Sequence, residues 1–550
     1  MRVESLHDPV AGSPAAAAPA PLGWSGPSAP VFDPDGLAAL LSEPRTPVTV
    51  VYDPASGARG LAADGGLVHE PGAWPVLASL PPVFPEWLGD RAFTELHGLS
   101  FPYVVGAMAN GITTADMVEA AAAHGFLAFF GAAGLGVDRV EAAVTRLSAL
   151  SQQGRSWGSN LIHSPTEPAL EAAVVNLYLK YGVNRVSASA FMDLTPALVR
   201  YALSGVRQAP DGSIHRERYV FAKISRPEVA ARMLAPAPAE MVAALVARGE
   251  LTEDEARLAP YLPVAEDITV ESDSGGHTDN QALGSLFPII ARLRDQLSAK
   301  HGYTRPIRVG AAGGLGSPSA VASAFGLGAA YVLTGSVNQA CVESGLSAIG
   351  REQLAKAQIA DVTMAPAADM FEMGVDVQVL KRGTMFAQRG HYLRALYRGY
   401  RSFAEIPAED RARVEKTCLR RSFDAAWADT KAYWQRREPA EVERAERDPK
   451  HQMALVFRAY LGQASRWAID GLADRAVDYQ IWCGPAMGSF NAWVQGSFLE
   501  APEARNVGQV GLNLLEGAAV VTRAHQLRAF GVPVPPRAFD FAPRPLSYAL

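Results

Sequence analysis

From position 103 the chain alternates short apolar runs with longer stretches whose apolar residues recur every three or four positions. The first pattern suits strands buried on both faces, and the second suits helices laid on a sheet. Strands are predicted at 103–109, 126–131, 157–163, 185–190, 219–224, 267–272, 307–312 and 331–334, with helices between them, such as 114–124, 166–181 and 280–301. Eight successive βα units over this length predict a closed parallel (β/α)8 barrel with an outer ring of helices. An extra helical segment at 238–261, carrying a capping-box pattern from Thr252 to Glu255, separates the fifth and sixth strands.

The flanks read differently. Residues 1–30 are rich in Ala, Pro, Ser and Gly and are expected to form a flexible tail. Residues 31–99 hold short apolar runs split by Asp-Pro and Gly turns, which predicts a small α+β segment, a cap or a homodimerisation piece. The barrel is assigned to 100–340. Residues 341–550 are expected to be a helical lid or substrate domain over its mouth, with the last helix, 507–530, returning to the barrel.

Composition narrows the class. The 550 residues are 49% hydrophobic and 19% charged, with a net charge of −6, which excludes global disorder and a broad nucleic-acid-binding surface. The three cysteines, Cys341, Cys418 and Cys483, are widely spaced and odd in number, so neither a disulfide framework nor a CxxC zinc site is expected. The most membrane-like stretch, 120–137, is broken by His124 and glycines, and the N-terminus lacks the basic start and apolar run of a signal peptide. A cytoplasmic enzyme without membrane or nucleic-acid partners is the expectation.

Barrels work at the carboxyl ends of their strands, so candidate chemistry is sought there. The seventh strand ends in Gly310-Ala-Ala-Gly-Gly-Leu-Gly316 and the eighth in Thr334-Gly-Ser336, two consecutive glycine turns that suit an anion. A dinucleotide fingerprint is disfavoured, because no acidic residue ends the next strand. The sixth strand ends in Glu271-Ser-Asp-Ser-Gly-Gly-His277, which brings backbone close to a flat ligand and offers His277 as proton donor or acceptor. A metal site from Glu271, Asp273 and His277 is the alternative, short of a second histidine. Asn160 on the third strand and Lys223 on the fifth suit ring carbonyls, ring nitrogens or a phosphate; an ion-paired lysine is the bland alternative. No GxSxG, HExxH or GxxxxGK[ST] is present.

These residues, with Met108, resemble the flavin barrel of nitronate monooxygenases and of FMN-type enoyl-acyl-carrier-protein reductases. Val105-Gly-Ala-Met-Ala-Asn-Gly111, Phe371-Glu-Met-Gly-Val-Asp-Val-Gln378 and Gly484-Pro-Ala-Met-Gly-Ser-Phe-Asn491 are similar to the PfaD family, the trans-acting enoyl reductases of polyketide and polyunsaturated fatty acid synthases. The resemblance spans about residues 31–533. It implies bound FMN, NAD(P)H as co-substrate and acyl carrier protein domains as partners. It implies flavin contacts at Met108, Asn160, Lys223, Gly275, Gly276, Gly313, Gly314, Gly335 and Ser336, and an active-site role for His277. It also implies a small-residue loop at Gly488 and Ser489 approaching the flavin. A nitronate-type flavin oxidase and a non-catalytic flavoprotein scaffold are the alternatives. The basic stretch from Lys381 to Arg401, with Arg394 and Arg398, reads either as a solvated helix face or as a carrier-docking surface.

Overall fold

The computed structural model describes residues 22–164 and 167–548. They form two units: residues up to Phe84 with Ala519–Phe541, and Pro85–Ala518 with the chain from Ala542 on.

The larger unit contains the barrel. Its strands are Tyr103–Val105, Leu127–Phe130, Gly158–Ile162, Arg185–Ser189, Tyr219–Ile224, Asp267–Glu271, Arg308–Ala312 and Val332–Thr334, and the eighth pairs in parallel with the first to close the ring. The first strand is four residues shorter at its end than the pattern predicts. The Thr113 hydroxyl donates to the Gly106 carbonyl and accepts from the Met108 amide, which folds that stretch into a turn. The helix after it, Ala115–Ala123, starts one residue late because Thr114 is its N-cap. Thr252 and Glu255 form the expected capping box.

Helix Arg91–His97, expected in the N-terminal segment, belongs to this unit. Phe93 packs with Val104, Leu127, Phe129, Phe221 and Tyr331, and stacks on Tyr331 at 4.3 Å between centroids. His97 meets the first residues of three strands. Its Nε2 lies 3.1 Å from Asp267, its Nδ1 accepts from Arg185 at 3.1 Å, and Arg308 grips Asp267 with two bonds of 2.6 and 2.9 Å. With one end of the barrel sealed by this apolar and ionic floor, the carboxyl ends of the strands form the mouth.

After the barrel the chain is not purely helical, as the pattern suggested. Val362–Pro366 and Asp376–Leu380 form an antiparallel hairpin, followed by helices Phe386–Gly399, Phe423–Arg437, Pro449–Asp470 and Val507–Ala529. The last helix starts against the barrel, where Gly508 meets His124 and Gly511 meets Phe126 and Tyr103. Its final residues, from Ala519, belong to the smaller unit.

That unit is a five-stranded antiparallel sheet in the order Arg59–Ala62, Val48–Tyr52, Trp74–Leu80, Gly23–Ser25, Gly66–Val68. The expected tail is therefore too long at its end, since Trp24 is a buried strand residue packed with Val51 and Ala62; residues 1–21 lie outside the described residues. Leu37, Leu41, Val48, Val50 and Leu61 share a core with Leu527, Val532 and Ala538 from the far end of the chain. Among the described residues no single helix is long and apolar enough to cross a membrane.

Candidate active site at the barrel mouth

The strand ends bring Met108, Asn160, Lys223, Gly275, Gly276, His277, Gly313, Gly314, Gly335 and Ser336 to one rim of the barrel. Each is held by local chemistry. Gly131, ending the second strand, packs its backbone on the Met108 carbonyl, with no room for a Cβ. Asn160 is buried, and its Nδ2 donates to the Ser187 carbonyl at 2.9 Å and the Ser189 hydroxyl at 3.1 Å. With both amide protons used, Oδ1 is what Asn160 offers a ligand. Lys223 Nζ pairs with Glu271 Oε1 at 2.8 Å, and that oxygen also accepts from Ser274 at 2.9 Å. Among the described residues no cluster of His, Cys, Asp and Glu is arranged to hold a metal ion, and Glu271 is engaged by a cation instead.

The loop from Ser272 to His277 is clamped on both sides. Gly276 exchanges backbone bonds with Gln378 of the hairpin at 2.9 and 2.7 Å, and Gln378 Nε2 donates to Asp273 Oδ1 and the Ser274 carbonyl, both at 2.7 Å. Gly275 lies so close to Cys483 and Gly484 that a Cβ on it would sit 2.8–3.0 Å from the Cys483 backbone. Gly313, at φ +89°, allows the seventh-strand turn to pass Ser272 and Asp273. The outcome is an exposed His277 whose Nε2 is 3.6 Å from Asp369 Oδ1, on the connection between the hairpin strands.

Gly314 and Gly335 behave otherwise. A Cβ on either would meet nothing within 4 Å, and among the described residues their amides donate to no protein acceptor. Two amides without a protein acceptor among the described residues, at neighbouring strand ends, are groups of the kind that can bind an anion such as a phosphate. Ser336 closes this corner by accepting from the Gly484 amide at 3.1 Å.

Three expected residues fall elsewhere. Gly488 packs against the backbone of Gln358 and Ile359, so its missing side chain serves helix packing; Ser489 follows it in the same helix, Ala486–Val494. Arg394 is buried in an ion pair with Asp376 and also faces His391 at 3.1 Å. Its helix turns it inward, toward the hairpin, and it is not available to a partner; Arg398, one turn on, is exposed. Sequence reasoning gives Gln378, Cys483 and Gly484 no site role, because nothing local marks contacts across one to two hundred residues. Burial pushes the Cys483 thiol up to about 12, which leaves it a packing residue.

Residues 400–479 match the inserted helical domain of [acyl-carrier-protein] S-malonyltransferase. The chain is 46% identical to one of the polyunsaturated fatty acid synthase subunits of Thraustochytrium sp., over 80% of its own length and 30% of that protein. It is 41% identical to polyketide biosynthesis protein PksE of Bacillus subtilis over 79% of its length and 56% of that protein. It thus spans less than two thirds of these curated relatives. Among solved structures, the enoyl reductase domain of MlnA, from the macrolactin cluster of Bacillus amyloliquefaciens, superposes with a TM-score of 0.77 at 34% identity, covering 81% of this chain and 99% of that one. The closed eight-stranded parallel barrel with glycine turns at its mouth places the chain in the class of (β/α)8-barrel proteins, the architecture it shares with that domain. More narrowly, the chain belongs to the PfaD-like enoyl reductase family.

Proposed function

We propose that this protein is a trans-acting, FMN-dependent enoyl reductase. On this reading it uses NAD(P)H to reduce the α,β-double bond of enoyl thioesters held on acyl carrier protein domains of a polyketide or polyunsaturated fatty acid synthase. The observation that carries the reading is the pair of unspent amides at Gly314 and Gly335, on the same rim as the Lys223–Glu271 pair and His277.

These residues fit a flat, singly phosphorylated cofactor. Gly314 and Gly335 would hold the phosphate, Asn160 Oδ1 would accept a ring N–H, and Lys223 would donate to a ring carbonyl or nitrogen. Gly276 would keep the sixth-strand loop free of a side chain beside the ring and Met108 would wall the first-strand side, while Gly275 makes room for the Cys483 backbone that clamps the loop. The chemistry that FMN supplies when bound is hydride transfer from a nicotinamide to the β-carbon of the substrate. As hydride arrives, negative charge builds on the thioester oxygen, and His277 stabilises it by donating a proton or hydrogen bond. With Arg394 spent on Asp376, a carrier domain would find Arg398 rather than Arg394 on the helix that holds both.

The test is direct. The purified protein is expected to be yellow, to release FMN on denaturation, and to oxidise NAD(P)H only when an enoyl thioester is added. A colourless protein that cannot be loaded with FMN overturns the reading. Nitronate-dependent oxygen uptake without NAD(P)H would move it to the oxidase class, and FMN without turnover to a scaffold.

A further inference from the structure

A second histidine stands at the mouth, with a built environment that the proposed chemistry leaves unused. His163 directly follows the third strand, Gly158–Ile162, and its side chain is 20% exposed. Its Nδ1 lies 3.2 Å from Glu171 Oε2, and its ring stacks on Phe191, just past the fourth strand, at 5.2 Å and 29°. Its backbone amide donates to the Ser189 carbonyl, the residue whose hydroxyl receives Asn160.

Glu171 is 4% exposed and held from every side. The Ser164 amide donates to Oε2 at 3.2 Å and the Thr195 hydroxyl donates to Oε1. Glu171 sits in the first turn of helix Pro168–Lys180, where the unpaired amides favour a carboxylate. Just before this helix, Arg437 grips Glu167 with bonds of 2.7 and 2.8 Å. A buried carboxylate on one ring nitrogen fixes an imidazole's tautomer and plane, and directs the other nitrogen to whatever occupies the site. Among the described residues Nε2 of His163 has no protein partner.

We propose that His163 is the proton donor to the α-carbon in the enoyl reduction, and that Glu171 is its positioning residue. This rests on the proposed enoyl reductase function. The electron pair of the C=C bond takes the Nε2 proton of the doubly protonated His163 ring, breaking Nε2–H and forming the Cα–H bond while Nδ1–H stays hydrogen-bonded to Glu171; the hydride, drawn from NAD(P)H, forms the Cβ–H bond. Neutral His163 then takes a proton from water. The labour is divided: His277 meets charge on the thioester oxygen, and His163 supplies carbon.

Two variants of the FMN-loaded full chain test it, with an enoyl thioester of N-acetylcysteamine as probe. H163Q is expected to keep its FMN absorbance and its rate of bleaching by NAD(P)H. Its reoxidation by the probe should fall by about 10²-fold or more, the scale of a lost general acid. E171Q is expected to lower kcat about tenfold with KM unchanged, and nitrogen-15 NMR, recorded where the ring is neutral, should find His163 in mixed tautomers where the parent's neutral ring shows Nδ1–H alone. Parent-rate reoxidation in H163Q overturns the assignment, as does parent kcat in E171Q; should H163Q lose its FMN, E171Q decides alone. If the parent itself fails to turn over the probe, the failure belongs to the proposed function, and a single NMR tautomer in E171Q rejects the positioning role independently of turnover.

Discussion

At the scale of single residues, glycines divide into two kinds that the sequence does not distinguish. Gly275 is a glycine because another backbone is in the way, whereas Gly335 is a glycine beside empty space. Gly275→Ala should overpack the contact with Cys483 and cost about 1–3 kcal/mol. Gly335→Ala should leave the stability of the flavin-free protein within about 0.5 kcal/mol yet weaken FMN binding at least tenfold. Thermal unfolding and a flavin titration on both variants separate the two roles; equal melting losses would remove Gly335 from the anion cradle. The placement of the strand-end glycines and His277 at the barrel mouth is legible in the sequence because barrel chemistry has a fixed address, the carboxyl end of a strand. Gly484 and Gly488 lie in one small-residue run, in which the sequence alone assigns the approach to Gly488 and gives Gly484 no role. Only the packing tells which of them approaches the barrel mouth and which rests on Gln358 and Ile359. Arg394 was misread for a related reason: a run of arginines records charge, not which helix face the hairpin covers.

At the scale of elements, the barrel strands were readable because each is a local run of apolar residues and each helix a local period. The hairpin was not, since its value lies in pairing Gln378 with Gly276, far apart in the chain. The barrel floor was also invisible, and it carries a pH dependence. Burial lowers His97, outweighing the opposite pull of Asp267, so the ring is neutral near pH 7. The geometry agrees, because Nδ1 accepts from an arginine and has no place for a second proton. Burial alone would raise Asp267, but Arg308 and then His97 overcome it and hold the carboxyl below its ordinary range. Both folded values lie below the unfolded ones, so the unfolded chain binds more protons in acid and each group's stabilisation is lost as pH falls. Melting temperature should be flat above about pH 7, decline below about 6.5 as unfolded-state histidine protonates, and drop again below about 4 with Asp267. His97→Gln should flatten the first decline and keep the second. Circular dichroism melts from pH 8 to 3 would show it, and an unchanged first decline in the variant would reassign it to another histidine.

At the scale of the whole molecule, the smaller unit is assembled from both ends of the sequence. Leu527 is fully buried among Leu37, Val48 and Leu61. Leu527→Ala should cost about 2–5 kcal/mol, felt by this unit. Hydrogen exchange should then quicken in Val48–Tyr52 and Arg59–Ala62 while the barrel strands keep their protection. Uniform loss of protection would mean that the two units melt as one. The same construction sets a schedule for the growing chain. On a ribosome adding roughly 5–20 residues per second, the sheet strands emerge long before Leu527 and Val532, which follow after about 450 further residues. For about 20–90 s the nascent sheet therefore holds an unfinished apolar face, while the barrel is completed behind it. That interval is when holdase chaperones would find their binding site, and slowing elongation would lengthen the exposure rather than help the fold.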